Sequence, residues 1–241
     1  MPVNAALTGA ILVSVAGGVL SLDRTAAFQV MVSRPLVTAP VIGYLLGHPL
    51  WGLLAGAVLE ILLIGDLPVG RYVPVHETSL SALVTGLVVA ALEGTGASEG
   101  YAGLKSEMTV LPLAILIALP AGRVFQKADI MARKMNARLF DTASVSVDGG
   151  GGAALIRNNL KGAVLFLIAN TVALLLTAVP LMLGAGYFFT GFELKPFTAA
   201  FAGLLLVGAG AAAWSITTGR SAYVFGASAA AGGALLTWLA L

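Results

Sequence analysis

Long runs of predominantly apolar residues recur from one end of this chain to the other. Eight runs can be distinguished, at residues 5–22, 37–46, 50–64, 80–92, 109–125, 163–183, 197–216 and 221–241. Only 10% of the 241 residues are charged, whereas a soluble domain carries about 25% charged residues. We therefore expect an integral membrane protein, not a soluble enzyme. At about 20 residues for each helical crossing, the length admits roughly six to nine membrane segments.

Two successive runs, 37–46 and 50–64, are short for straight membrane-spanning helices. Pro35, Pro40 and Pro49 interrupt this part of the sequence, and proline ends or kinks a helix. Irregular backbone at membrane depth persists only where it is buried in protein or lines a water-filled cavity. Broken helices here therefore indicate a transport site. The alternative is a helical hairpin with a proline turn at the membrane surface.

The longest polar stretch, residues 123–161, contains seven of the 13 lysines and arginines. Because basic residues concentrate in cytoplasmic segments, we expect this stretch inside the cell and the acidic segment 93–107 on the opposite side. The run 109–125 would then cross the membrane inward. Within the basic stretch, residues 127–140 are expected to form a short amphipathic helix, and residues 148–152 a glycine linker between two halves of the bundle.

Glycines lie mostly inside the apolar runs. Two pairs have the spacing Gly-xxx-Gly, at Gly43 and Gly47 and at Gly52 and Gly56, and the segment 203–233 is rich in glycine and alanine. Small residues at this spacing allow the backbones of neighbouring helices to approach closely. The pattern therefore predicts tight helix packing and says nothing about a substrate.

Glu60 is a carboxylate embedded in an apolar run, with ten uncharged residues before it from Leu50 onward and four apolar residues after it. Placing a charged side chain at membrane depth costs about 2.5–3.5 kcal/mol on insertion scales. A residue retained at this cost is normally functional, which makes Glu60 the first candidate for a site. The alternative is a structural ion pair or helix-end hydrogen bond, for example with Arg34 or Arg71.

The chain offers little for catalysis. It has no cysteine, and two histidines cannot alone complete a metal site. We find no Ser-His-Asp or Cys-His arrangement and no HExxH pair. Polar side chains of mixed type lie between residues 23 and 80, namely Asp23, Arg24, Gln29, Ser33, Arg34, His48, Asp66, Arg71, His76, Glu77 and Thr78. Such a mixture suits a neutral polyol such as a sugar better than a proton or a cation.

Three stretches of sequence resemble a known family. Residues 22–40 read LDRTAAFQVMVSRPLVTAP, residues 52–60 read GLLAGAVLE and residues 65–70 read GDLPVG. They are similar, in the same order, to motifs of the membrane C subunit (IIC) of the mannose/fructose/sorbose family of the bacterial phosphotransferase system. The likeness is close over residues 20–90. Beyond Thr109 it depends on length, hydropathy and the basic stretch.

This resemblance implies an all-α polytopic protein with broken or re-entrant helices, forming a single permease domain over residues 1–241 with a basic cytoplasmic loop at 126–161. It also implies a sugar-translocating subunit of the bacterial inner membrane that is not itself an enzyme and needs no cofactor. The subunit would work with a homologous membrane D subunit (IID). It would bind a hexose and deliver it to the cytoplasmic A and B subunits, where a phosphohistidine of the B subunit phosphorylates it.

Carried over position by position, the resemblance makes Glu60 and Glu77 the carboxylates that accept hydrogen bonds from sugar hydroxyls. Asp66 and Gln29 are expected as secondary contacts. Three further residues are assigned a supporting role in the site, namely Asp23, Arg34 and His76.

Residues 71–78, which read RYVPVHET, depart from the family pattern, and Glu77 stands where the family usually has aspartate. This departure motivates a second hypothesis, a membrane anchor that recruits phosphotransferase proteins without transporting sugar. A third hypothesis is a transporter driven by an ion gradient, which ranks last because the chain lacks a series of intramembrane carboxylates for proton relay.

Overall fold

In the computed structural model, residues 3–27, 29–65, 73–95, 110–148 and 152–190 are described. Their regular elements are all α-helices, which confirms the all-α class expected from the sequence. Seven helices occur in this part of the chain, namely α1 (Val3–Thr25), α2 (Pro35–Leu45), α3 (Pro49–Leu63), α4 (Glu77–Thr95), α5 (Val110–Ala118), α6 (Ala121–Asp148) and α7 (Gly152–Thr190). The apolar runs at 197–216 and 221–241 lie outside the described residues.

Three of these helices are long and apolar enough to cross a membrane, over Val3–Thr25, Glu77–Gly94 and Ile156–Ala185. The pair α5 and α6 supplies a fourth crossing if its bend of 44° is accepted within one span. The run 109–125 was expected to cross the membrane, and the helix within it is interrupted before Ala121. Pro120 explains the interruption, because proline has no amide hydrogen and its ring clashes with the carbonyl four residues earlier.

The two short apolar runs form the two short helices α2 and α3, as the sequence predicted. Pro35 and Pro49 each stand in the first turn of their helix, where a missing amide hydrogen costs nothing. Gly47, just after α2, adopts a φ of +83°, which reverses the chain toward α3. The two helices form a hairpin that packs against α4.

The hairpin of α2 and α3 is joined by contacts between glycine backbones. A Cβ atom added to Gly52 would lie 2.5 Å from the carbonyl oxygen of Ala39, and one added to Gly56 would lie 2.7 Å from that of Pro35. A Cβ added to Gly43 would lie 2.8 Å from the Cα of Gly52. These distances leave no room for a side chain, so the close helix packing predicted from the glycines is present here.

The basic stretch 123–161 was expected to be a loop containing one short helix, and it is mostly helical. The expected helix at 127–140 is part of α6, which continues to Asp148, and α7 begins at Gly152. Residues 149–151 of the expected glycine linker lie outside the described residues. The helix α6 extends so far because it buries an apolar side, represented by Phe125 at 0% exposed, and leaves its lysines and arginines on the outside.

The helix α4 lies at the centre of the described bundle and contacts α1, α2, α3, α5, α6 and α7. Every residue from 78 to 92 is buried. Its leucines belong to the same core as Val13 of α1 and Leu174 of α7. The first residue of this central helix is Glu77, so the fold places one of the two predicted carboxylates beside the buried core.

Candidate functional site

A short loop between α1 and α2 carries the polar residues that lead into the candidate site. Asp23, in the last turn of α1, is only 7% exposed. Its Oδ1 accepts a hydrogen bond from the backbone N–H of Val30 at 2.7 Å, and its Oδ2 accepts one from Ser33 at 3.1 Å. Because the backbone engages both oxygens, Asp23 fixes the conformation of the loop and acts on the site through it.

The same loop contains two residues in the left-handed region of backbone conformation, Gln29 with a φ of 54° and Met31 with a φ of 67°. This conformation is unfavourable for residues other than glycine and is seen most often where surrounding structure enforces it, commonly at functional sites. Gln29 is exposed. It lies in the loop that leads to Arg34, and its role as a secondary sugar contact stays a prediction.

The end of the loop is tied to the central helix. Thr78 of α4 donates a hydrogen bond from its Oγ1 to the carbonyl oxygen of Ser33 at 2.7 Å, and Thr38 of α2 donates one to the carbonyl oxygen of Val32 at 3.0 Å. Held in this way by α2 and α4, the chain reaches Arg34 immediately before α2 begins.

Arg34 lies between the two carboxylates that the sequence predicted. Its Nη2 is 2.6 Å from Oε1 of Glu60, and its Nη1 is 3.4 Å from both carboxylate oxygens of Glu77. The second oxygen of Glu60 accepts a hydrogen bond from the backbone N–H of Leu36 at 3.3 Å. Glu60 and Glu77 are 17 positions apart in sequence, and Arg34 and Glu77 are 43 positions apart. The α2–α3 hairpin and the start of α4 bring the three residues to one place.

The ion pair between Glu60 and Arg34 was the structural alternative considered for Glu60, and it is formed. The two glutamate side chains nevertheless remain 18% exposed, and that of Arg34 36% exposed. A carboxylate can accept about four hydrogen bonds, and Glu77 has one cation beside it at 3.4 Å. The arrangement can therefore still accept hydrogen bonds from the hydroxyl groups of a ligand.

His76 is almost fully buried, at 1% exposed. Its Nδ1 accepts a hydrogen bond from the backbone N–H of Ser79 at 3.3 Å, the position of an N-terminal cap for α4. His76 therefore holds the helix end that presents Glu77 and supports the site from behind. Asp66 and Arg71 lie outside the described residues.

Two residues that were assigned no role in the predicted site hold residues 73–76, the segment before α4. Arg24 donates from Nη1 to the carbonyl oxygen of Val75 at 3.3 Å, and Gln126 of α6 donates from Nε2 to the carbonyl oxygen of Val73. Gln126 lies in the basic stretch that was assigned to the cytoplasmic side, and no local pattern distinguishes it. Its role depends on a contact between residues more than 50 positions apart.

No group of three or more His, Cys, Asp or Glu side chains that could hold a metal ion occurs in the described part of the chain. The candidate site instead consists of two carboxylates and a guanidinium, which is an arrangement for hydrogen bonding. Ligands that suit it carry several hydroxyl groups, since a hydroxyl can donate to a carboxylate and accept from a guanidinium.

Comparison with known proteins agrees with the resemblance seen in the sequence. The family model described as "PTS system sorbose-specific iic component" matches residues 7–213. No curated protein sequence matches the chain.

Two of the solved structures that share the fold illustrate the likeness. One, described as a membrane protein, has a TM-score of 0.61 and 18% sequence identity, and the other, a cryo-EM structure of the mannose transporter ManYZ with a microcin, has a TM-score of 0.51 and 20% identity. Each match covers 94% of this chain and 86% of the other. With the family model matching most of its length, the chain belongs to the sorbose-specific IIC family of the phosphotransferase system, whose members are sugar-transporting membrane subunits.

Proposed function

We propose that this chain binds a hexose inside the membrane and translocates it, as the C subunit of a mannose-family phosphotransferase system in the bacterial inner membrane. One observation carries the proposal. Glu60 and Glu77 come from different helices, yet both carboxylates lie against the guanidinium of Arg34. Carboxylates at membrane depth are costly, and a pair that keeps free acceptor capacity suits the hydroxyl groups of a sugar.

The α2–α3 hairpin is suited to move as one body. The backbones of its two helices are in contact at glycine positions. Such close packing keeps α2 and α3 together when the hairpin moves. The hairpin carries Glu60, whereas α1 and α7 pack against each other elsewhere in the bundle. Movement of the part carrying residues 35–80 relative to this scaffold would expose the sugar to each side of the membrane in turn.

The proposal includes partners. A homologous membrane D subunit would complete the transport complex, and cytoplasmic A and B subunits would supply the phosphoryl group through a phosphohistidine. Phosphoryl transfer would be the work of these subunits, while this chain would bind and carry the sugar. The cluster of basic residues on α6 and the start of α7 is consistent with a cytoplasmic side facing those subunits.

Replacement of Glu60 by glutamine tests the sugar site. We expect Glu60→Gln to lower hexose affinity more than tenfold, because a hydrogen bond to a charged group is worth about 1.5–3 kcal/mol. The measurement is binding of a panel of radiolabelled neutral hexoses to the full chain in lipid nanodiscs. Glu93→Gln is the matched control, since Glu93 lies at the other end of α4 and is exposed. Failure of Glu60→Gln to insert into the membrane would assign Glu60 to structure.

Purification in mild detergent from native membranes, followed by mass spectrometry, tests the partners. We expect recovery of a second polytopic subunit and of a soluble protein phosphorylated on histidine. Unchanged sugar uptake after deletion of this chain, together with altered output of other phosphotransferase proteins, would support the anchoring role instead. Uptake that needs an ion gradient and no phosphoenolpyruvate would contradict the proposal in favour of a gradient-driven transporter.

A further inference from the structure

The backbone at Arg34 is held on both sides. Ser33, immediately before it, is bonded to Asp23 of α1 through its backbone N–H and to Thr78 of α4 through its carbonyl oxygen. Pro35, immediately after it, begins α2. Arg34 therefore has little backbone freedom, and this fixed backbone places its side chain against Glu60 and Glu77.

One cation lies against the two carboxylates of the site. Among the described residues, Arg34 contacts both carboxylates. Arg24 lies next to Asp23, and one of its guanidinium nitrogens donates to the carbonyl oxygen of Val75, two residues before Glu77. In direct contact, one cation thus opposes two negative charges. Loss of Arg34 would leave a clearly negative site.

We propose that Arg34 determines the charge preference of the site, so that a neutral sugar is accepted and a positively charged amino sugar gains no advantage. The inference rests on the proposed function, since it requires that a sugar bind at Glu60 and Glu77. A cation within a few ångströms of a carboxylate is strongly attracted where water is partly excluded. An amino sugar would compete for the same oxygens that Arg34 already neutralises.

A purely structural role for Arg34 predicts something different. If the guanidinium only held α3 and α4 together, its loss would weaken the binding of charged and neutral sugars by the same factor. A role in charge selection changes the ratio of the two affinities. The ratio is therefore the quantity to measure, because a general loss of folding or of site geometry cancels in it.

Sugars that differ at one position provide the probes. Glucose and glucosamine differ by a hydroxyl or an amine at C2, as do mannose and mannosamine. We would measure the binding of all four to the full chain in nanodiscs, at a slightly acidic pH where the amine is protonated. In Arg34→Gln we expect the affinity ratio of amino sugar to neutral sugar to rise about tenfold or more. Arg34→Lys retains the charge and should leave the ratio near that of the unmodified chain.

A variant of opposite sign keeps the inference testable if Arg34→Gln does not fold. Glu77→Gln removes a negative charge, and should lower the ratio of amino sugar to neutral sugar. Sugar binding with the same ratio in Arg34→Gln, or in Glu77→Gln if the former is not obtained, would overturn the inference while leaving the proposed function intact. No binding of any of the four sugars to the unmodified chain would count against the proposed function itself.

Discussion

The helices α4 and α7 are both long enough to cross a membrane. In a soluble protein the more apolar helix is the more buried one, and here the opposite holds. In its membrane-spanning part, 83% of α4 is buried in the described structure, against 28% of α7. Yet α4 is the less apolar of the two and begins with Glu77. The surface of α7 instead carries large apolar side chains such as Ile168 and Leu176.

The physical reason is the solvent. A side chain on the outside of a membrane bundle meets lipid, so it must be apolar, whereas polar side chains are tolerated inside, where they find partners. In α4, Ser81 donates to the carbonyl oxygen of Thr78 at 2.9 Å and Thr85 to that of Ser81 at 2.8 Å. Residual polarity in an apolar run therefore indicates the interior of the bundle, and the interior holds the candidate site.

Truncation of one leucine in each helix should give the largest difference in stability between α4 and α7. Leu87 of α4 is 0% exposed and Leu176 of α7 is 69% exposed. Leu87→Ala leaves a cavity and should cost about 2–5 kcal/mol, whereas lipid can fill the space left by Leu176→Ala, so its cost should be much smaller. Unfolding by SDS titration in mixed micelles gives both values. Equal losses would contradict the assignment of α4 to the interior.

Enlargement of a glycine tests how tightly α4 is enclosed. A Cβ added to Gly86 would lie 3.0 Å from Cγ2 of Val13 and 3.1 Å from Sδ of Met182. Gly86→Ala should cost about 1–3 kcal/mol through overpacking. Because the thioether of Met182 is the flexible neighbour, a double-mutant cycle with Met182→Ala should give a combined loss smaller than the sum. Strict additivity would show that the two positions do not press on each other.

Removal of a hydroxyl should have the smallest effect in both helices. Thr85 of α4 and Thr177 of α7 each donate to a carbonyl of their own helix, Thr177 to Ala173 at 2.9 Å. Replacement of either by valine should cost about 0.6 kcal/mol or less, as judged by the same titration. A loss above about 2 kcal/mol for Thr85→Val would mean that its hydroxyl has a second role, such as contact with a neighbouring helix.

The broken helices show how far prediction from sequence reached. The prolines and glycines between residues 35 and 56 correctly predicted two short helices and their close contact. The run 109–125 was expected to be one crossing because of its length and apolarity, and Pro120 within it interrupts the helix. In the basic stretch the amphipathic pattern predicted a short helix at 127–140, and the helix that contains it extends from Ala121 to Asp148.

The site was predictable in its parts and not in its assembly. A carboxylate isolated in an apolar run is visible in the sequence, and so Glu60 was selected on its cost of burial alone. The ion pair of Glu60 with Arg34 was one of the alternatives considered, but that Arg34 would also contact Glu77 could not be derived, because the relative placement of the three segments depends on packing around α4. Gln126 acts through a backbone contact, which leaves no mark on residue type.

By itself the sequence determined that the protein is a helical membrane protein with two short helices between residues 35 and 63. Each of these properties follows from local composition and spacing. Only the tertiary structure decided which helix is central and which carboxylates share a cation. Those outcomes depend on contacts between residues far apart in the chain, and the energy of such contacts is fixed by geometry that no short stretch of sequence contains.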